Sequence, residues 1–345
     1  MTQNSLLKPA LFVVCLVTVV VLCFEIYYRS QGMTIAYDDG PPLWSHTRAM
    51  VYEPSEKTIV FIGSSRIKYD LDIATWEHAT GIHAVQLAIE GSCPRPVLED
   101  LANDPNFKGR LVIDVTEGLF FNNNPPNQLN PNKDVKYFHE QTPAQEASFA
   151  LNKVLESGLV VLDKDHLSLN AKLDELELAS RPGVFMMPIF PLDFDRCTFE
   201  RQMYMSPKFL KEPALQNQVK AIWAFFAAGA KMRPPMPDQE LDAIFTSVKK
   251  NVAKIQARGG QVLFVRTPSS GPYWQGELMG FPRAKYWERL LTTTGCPGIH
   301  FKDYPAIDHF ECPEFSHLKK ADAVVFTKNF IKILKEKGWN VSASN

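Results

Sequence analysis

The sequence predicts an α/β protein on a parallel sheet covered on both faces, preceded by one membrane-spanning helix. Three observations carry this. Several short runs of β-branched and aromatic residues are apolar at every position, as in strands buried on both sides. Segments with a helical apolar stripe alternate with those runs. Residues 10–24 form a nearly unbroken apolar run.

That run, Ala10 to Phe24, is interrupted only by Thr18. From Leu6 to Tyr28 the segment is long enough to cross a bilayer, which takes about 20 residues. Tyr27 and Tyr28 fit an aromatic interface belt. A cleaved signal peptide is the alternative. The run is long for one, and Glu25-Ile26-Tyr27-Tyr28-Arg29 lacks the small residues of a cleavage site. Val20-Val21-Leu22 likewise lacks the small residues that lipoprotein processing at Cys23 requires. Lys8 precedes the span, whereas Glu25, Asp38 and Asp39 accompany Arg29 after it, so the positive-inside rule favours a cytoplasmic N-terminus and an exported body.

Residues 1–29 are therefore read as the anchor and 30–56 as a linker that becomes a loop, with Asp38-Asp39-Gly40-Pro41-Pro42 in it. Strands are expected at 58–62, 83–87, 110–115 and 261–265, with a weaker one at 299–301. Helices are expected to start at Pro96, to cover Asp238 to Ala257 on a Leu241, Ile244, Phe245, Val248, Val252, Ile255 stripe, and to cover Ala321 to Lys337. The α/β domain then spans 57–337, and 338–345 is a tail. Residues 120–237 break the alternation and read as a partly helical insertion, with a helical patch near 144–157. Met186, Met187, Met203 and Met205 in it pack a core or shape a groove.

The 345 residues are 45% hydrophobic and 22% charged, a globular balance that excludes disorder, collagen and a multi-span channel. With 37 basic against 38 acidic residues and no basic stripe, nucleic acid is excluded as a partner. Outside the apolar run stand Cys93, Cys197, Cys296 and Cys312, without a CxxC pair. They fit either disulfides of an oxidising compartment, Cys296 with Cys312 across a short segment, or buried thiols. No HExxH, no paired His/Cys spacing and no Gly-rich phosphate loop occur, so no metal or cofactor is expected.

Two constellations carry chemistry. In Ile62-Gly63-Ser64-Ser65-Arg66 a buried strand ends on a glycine, and hydroxyls sit on the turn into a helix. Open α/β sheets bind ligands at this edge, and the helix's first N–H groups can stabilise an oxyanion. A plain N-cap serine is the other reading. In Pro313-Glu314-Phe315-Ser316-His317-Leu318 a carboxylate three residues before a histidine can orient the imidazole, which can take a proton from a serine. His309 is a second candidate base, and Asp303 or Asp308 a second candidate acid. Arg266, ending the fourth strand, reads as a substrate contact or a structural ion pair. Trp274, Tyr286 and Trp287 read as sugar-stacking or packing residues.

Taken together, these motifs resemble the SGNH/GDSL hydrolase superfamily over about 57–118 and 259–336. The resemblance implies a three-layer α/β/α, flavodoxin-like fold. Gly63-Ser64-Ser65 stands at the family's Gly-Asp-Ser motif, which implies Ser65 as nucleophile. Glu314-x-x-His317 stands at Asp-x-x-His, which implies His317 as base and Glu314 as acid. Gly91, after the second strand, corresponds to the glycine whose N–H completes the oxyanion hole with that of Ser65. Ser64 replaces the motif's aspartate, and Asp114-Val115-Thr116-Glu117-Gly118 stands where the family has Gly-x-Asn-Asp. Thr116 is the candidate replacement donor. Glu117 brings a negative charge that Arg66, Arg95 or Arg266 would have to pair, and Arg66, Glu117 and Arg266 are candidate substrate-binding residues. The Gly-Ser-Ser-Arg form, the anchor and Arg266-Thr267-Pro268-Ser269-Ser270-Gly271 are similar to membrane-anchored SGNH-like proteins of bacterial envelopes. Those act in O-acetylation of exported polysaccharides or D-alanylation of teichoic acids, often beside a membrane-bound O-acyltransferase. The resemblance thus implies serine-dependent acyl transfer or ester hydrolysis on a cell-envelope glycan, on the periplasmic side of the inner membrane. A non-catalytic glycan-binding or scaffolding partner of such an acyltransferase is the alternative.

Overall fold

The computed structural model describes residues 4–174, 176, 183, 187–232, 236–339 and 341. Met186 and the tail beyond residue 341 lie outside the described residues. The chain divides into two compact units, one of residues 39–142 and 187–345 and the other of residues 1–38 and 143–186.

The larger unit is mixed α/β. Among the described residues its seven strands are β1 (Thr58–Ile62), β2 (His83–Gln86), β3 (Arg110–Asp114), β4 (Asp195–Cys197), β5 (Met203–Met205), β6 (Gln261–Arg266) and β7 (Gly298–His300). Five form a parallel sheet in the order β2-β1-β3-β6-β7, while β4 and β5 make a small antiparallel hairpin. The expected strands all form, within one or two residues of their boundaries. Their apolar runs are continuous because both faces are covered. Val60, Ile62, Val85, Leu111, Ile113, Val262 and Phe264 face one core, closed by helices Arg95–Asn103 and Asp238–Ala257. Ile59, Phe61, Ala84, Val112, Leu263, Val265 and Ile299 face the other, closed by helices Ile73–Thr80 and Lys320–Glu336. The chain leaves β1 toward β2 on one side and returns to β3 on the other. The crevice of such a sheet opens between the carboxyl ends of β1 and β3.

The stretch expected as linker holds a helix, Pro41–Ala49, with prolines in its first turn. Prolines suit a first turn because its N–H groups have no helical partner. Leu43 and Trp44 are buried, and Trp44 Nε1 donates to Leu87 O at 3.1 Å. The insertion is shared between the units. In the larger one, β4, β5 and helix Pro213–Lys231 build a third apolar cluster of Tyr69, Phe194, Cys197, Met203, Met205, Phe209 and Val219. Met187, by contrast, is exposed.

The smaller unit contains helix Asn4–Ser30, of which Leu6–Ser30 is long and apolar enough to cross a membrane. Most of its apolar side chains, Leu6 to Val20 among them, are exposed while Glu25 is buried, and Thr18 Oγ1 donates to Val14 O at 2.8 Å. That bond satisfies the run's one hydroxyl within the helix. Pro143–Glu156, the expected helical patch, also falls in this unit.

All six cysteines are free. Cys296 belongs to one core and Cys312 to the other, so the sheet separates them, and of the two readings of these cysteines the structure has the buried thiols. Alkylation of the denatured, unreduced protein should therefore add six labels. Four labels, with two sulfurs protected until reduction, would contradict this packing.

Candidate active site

The turn after β1 is set by close packing. A Cβ on Gly63 would lie 2.7 Å from Asp114 Cβ and 2.8 Å from Ile67, so only glycine fits. Ser64 takes the extended N-cap conformation and Ser65 begins helix Ser65–Asp70. Its amide is thus one of the N–H groups that a helix leaves without an internal partner. The Ser65 side chain is half-buried, and its Oγ lies 2.8 Å from His317 Nε2. His317 Nδ1 lies 3.0 Å from Glu314 Oε1. With the imidazole proton on Nδ1, Ser65 donates to Nε2, the arrangement in which a base relieves a serine of its proton. The structure thus brings Ser65, His317 and Glu314 together across about 250 residues of sequence.

Glutamate is one methylene longer than an aspartate would be here, and the backbone accommodates it. Phe315 adopts a left-handed φ of 79°. The Glu314 carboxylate folds back over this turn and accepts from the amides of His317 at 2.6 Å and Ser316 at 3.2 Å. A non-glycine residue there costs on the order of 1–3 kcal/mol, and neighbours hold it. Ser270 N donates to Phe315 O at 2.9 Å, and Cys312 N donates to Ser270 Oγ at 2.9 Å. The Phe315 ring lies against Gly271, where a Cβ would come within 2.8 Å. The loop after β6 therefore clamps the acid–base turn.

Several contributors escaped the sequence reading. Trp223, on helix Pro213–Lys231, donates its indole N–H to Glu314 Oε2. Tyr69 stacks on the His317 ring at 4.3 Å and donates to Asp195. Burial pushes the Asp195 carboxyl up to about 6, against the Tyr69 hydrogen bond. No periodic pattern marks these three. The signal available was only their aromatic and acidic chemistry inside the insertion and helix Ser65–Asp70.

The oxyanion candidates divide. Leu87 N donates to Phe61 O and Ile89 N to Gly63 O, so the chain beyond β2 runs alongside the exit of β1. Gly91 has φ +58°, is exposed, and has open space where a Cβ would sit. This turn is braced from below. Arg201, itself at φ +62°, donates to Gln86 O at 2.6 Å, Ala88 O at 3.1 Å and Asp39, while Lys68 pairs with Asp39 and Glu90. Burial alone would raise the Asp39 carboxyl, but Arg201 and Lys68 hold it below the usual range. Thr116 does not fit the role of third donor. Its hydroxyl lies 2.7 Å from Ser64 Oγ and donates to Asp114 at 3.2 Å, so its one proton stays within the buried network.

For Arg66, Glu117 and Arg266 the structure has the expected ion pairing and not the substrate contact. With Glu277 they form a buried cluster and are not a substrate-facing surface. Arg266 Nε meets Glu117 at 3.1 Å and its Nη2 meets Glu277, which also accepts from Arg66 Nη2 at 2.5 Å. Arg66 Nε further donates to Ser316 Oγ at 3.3 Å, tying the nucleophile's helix to the residue beside the base. Arg66 is 1% exposed and Arg266 0%, too deep for a ligand at the surface. Its Nη1 leaves Arg66 one buried donor without a partner. Burial raises the Glu117 carboxyl, whereas for Glu277 the two arginines outweigh burial and lower it. Of the other candidates, His309 lies on the surface with Nδ1 3.1 Å from Pro305 O, and Asp303 pairs with Arg283 at 2.6 Å. Tyr286 and Trp287 pack in the core, and Trp274 packs over Arg266 and Phe301. Arg95 donates to Asn122 O and Asn123, not to Glu117. Among the described residues no His/Cys/Asp/Glu group is arranged to hold a metal.

Searched against known proteins, the chain matches no protein-family model and no curated protein.

Asp70 lies beneath the site, with Oδ1 accepting from Leu318 N at 2.9 Å and Oδ2 buried without a partner. Burial, reinforced by Asp114, holds its carboxyl well above its ordinary 3.8 despite the Leu318 amide. Above that ordinary value the native state binds a proton that the unfolded chain has lost, so this group's contribution to stability falls as pH rises. Asp70→Asn keeps the acceptor for Leu318 and removes the titration. Its Tm should gain on that of the unchanged protein between about pH 4 and about pH 8. Equal Tm differences at both ends would contradict a protonated Asp70.

Proposed function

We propose that this chain is a membrane-anchored SGNH-type serine enzyme that transfers or hydrolyses an acyl ester on a cell-envelope glycan. On this reading the larger unit is the family's three-layer, flavodoxin-like domain, outside the cytoplasm, and Leu6–Ser30 holds it to the inner membrane of a bacterium. What carries the reading is the hydrogen-bonded relay Ser65–His317–Glu314 at the mouth of the β1/β3 crevice. Ser65 Oγ attacks the acyl carbonyl while His317 Nε2 takes its proton. The Ser65 and Gly91 amides receive the charge on the carbonyl oxygen. The tetrahedral adduct collapses, the C–O bond to the leaving alcohol breaks, and His317 returns the proton to that alcohol. Water or a sugar hydroxyl then resolves the acyl-serine by the reverse sequence. The anchor suits a fixed place beside a membrane-bound O-acyltransferase, the partner class that the resemblance implies. Engagement of the Thr116 hydroxyl, which leaves two amides as the oxyanion donors, favours the second reading, a glycan-binding or scaffolding partner without turnover.

Hydrolysis of p-nitrophenyl acetate by the full-length protein tests the choice. Ser65→Ala and His317→Ala should each lower the rate at least about 10⁴-fold, as loss of a triad member does. Rates that survive both substitutions, or no turnover by a folded protein, favour the binding reading. Trp223→Phe keeps an aromatic ring and removes the N–H to a buried carboxylate, a hydrogen bond worth about 1.5–3 kcal/mol. It should lower kcat about 10-fold or more with little change in KM. An unchanged kcat would remove Trp223 from the positioning of Glu314.

A further inference from the structure

Helix Pro143–Glu156 buries none of its residues. At 100° per residue, Ala144, Ala147, Leu151, Val154 and Leu155 share one face, and Glu146, Lys153 and Glu156 lie on the opposite one with the half-buried Phe149. The apolar face is open: Leu151 is 63% exposed and Val154 66%. Leu162, Leu169 and Leu173, which follow, are exposed too. So much exposed leucine in one short segment marks a surface that has a partner.

The partner is indicated by where the helix ends. Two residues beyond Glu156 the chain is tied to the membrane-spanning helix. Val160 N and Val161 N each donate to Glu25 at 3.0 Å. Arg29 pairs with Glu25 at 2.6 Å and donates to Gly158 O at 3.1 Å. Glu25 directly follows the last residue of the apolar run, Phe24, and Tyr27 and Tyr28 flank it. This is the level at which a spanning helix leaves the hydrocarbon.

We propose that helix Pro143–Glu156 lies in the bilayer interface with Leu151, Val154 and Leu155 among the lipid chains, a second membrane contact of this protein. The inference rests on the reading that Leu6–Ser30 spans a membrane. The occupant is lipid because the loop that ends the helix is hydrogen-bonded at the depth where lipid chains meet water. With two glutamates and one lysine, the helix has no cationic face, so apolar burial drives the contact and not attraction to anionic headgroups.

The test uses the full-length chain carrying Cys15→Ala and Cys23→Ala, since the remaining four cysteines are buried. An environment-sensitive nitrobenzoxadiazole is attached at Leu151→Cys or, on the opposite face, at Glu146→Cys. The protein is reconstituted in phosphatidylcholine vesicles, recovered by flotation, and exposed to doxyl-labelled lipid. The label at 151 should emit as in an apolar medium and be quenched several-fold more by doxyl lipid than the label at 146. Equal, water-like emission at both positions in floated protein would overturn the interfacial helix and leave the anchor standing. An apolar but unquenched label at 151 would mean a protein partner or second copy covers the face, and would also overturn it. Protein that fails to float would overturn the anchor itself, and the interfacial contact with it.

Discussion

The Glu314 carboxylate has no exposed surface, and four N–H groups converge on it: the amides of Ser316 and His317, the His317 imidazole and the Trp223 indole. A carboxylate removed from water is tolerable only when its oxygens are met this fully. Each donor recruits a different part of the molecule. The two amides require the left-handed Phe315, which in turn needs the bare Gly271 and the Ser270 clasp. The indole requires helix Pro213–Lys231 to lie beside the turn. The imidazole, fixed at Nδ1, has only Nε2 to present to Ser65. The geometry of the candidate nucleophile is thus a consequence of how one buried acid is solvated by protein.

Two further charge clusters follow a similar logic at a distance. Arg66, Glu277, Arg266 and Glu117 carry two charges of each sign, as do Lys68, Arg201, Asp39 and Glu90. Burying ion pairs yields little net stability, because desolvation offsets the attraction. Their positions suggest placement as the reason for them. The first joins the helix of Ser65 to the turn of His317 through Ser316, and the second holds the carbonyls of the turn that presents Gly91. Ser65 therefore sits between two braced segments, which is what a preorganised site requires.

Much of this was legible in the sequence because burial leaves a mark on composition. A strand covered on both faces, such as Thr58–Ile62, is apolar throughout, and the stripe of Asp238–Ala257 gives that helix its boundaries. Ser65, Glu314 and His317 were legible because each sits at a strand exit or a short fixed spacing. Burial of charge leaves no such mark. The sequence asks Arg66, Arg95 or Arg266 to pair Glu117 and leaves substrate contact open for Arg266, and only the fold shows that Arg266 is the partner and that the pair is buried. Trp223 reaches Glu314 over 91 residues, through an insertion without a repeat or motif to align it. The prolines of Pro41–Ala49 read as loop although they suit a helix's first turn, and the Cys296–Cys312 spacing hides that a sheet lies between the two thiols.

The central claim is that Ser65 is an activated nucleophile. A fluorophosphonate probe, which phosphonylates only activated serines, can be reacted with the full-length protein and the adduct mapped by mass spectrometry. The account predicts one adduct, on Ser65, absent when His317 is replaced by alanine. Folded protein that takes up no probe, or takes it up on another serine, would contradict it.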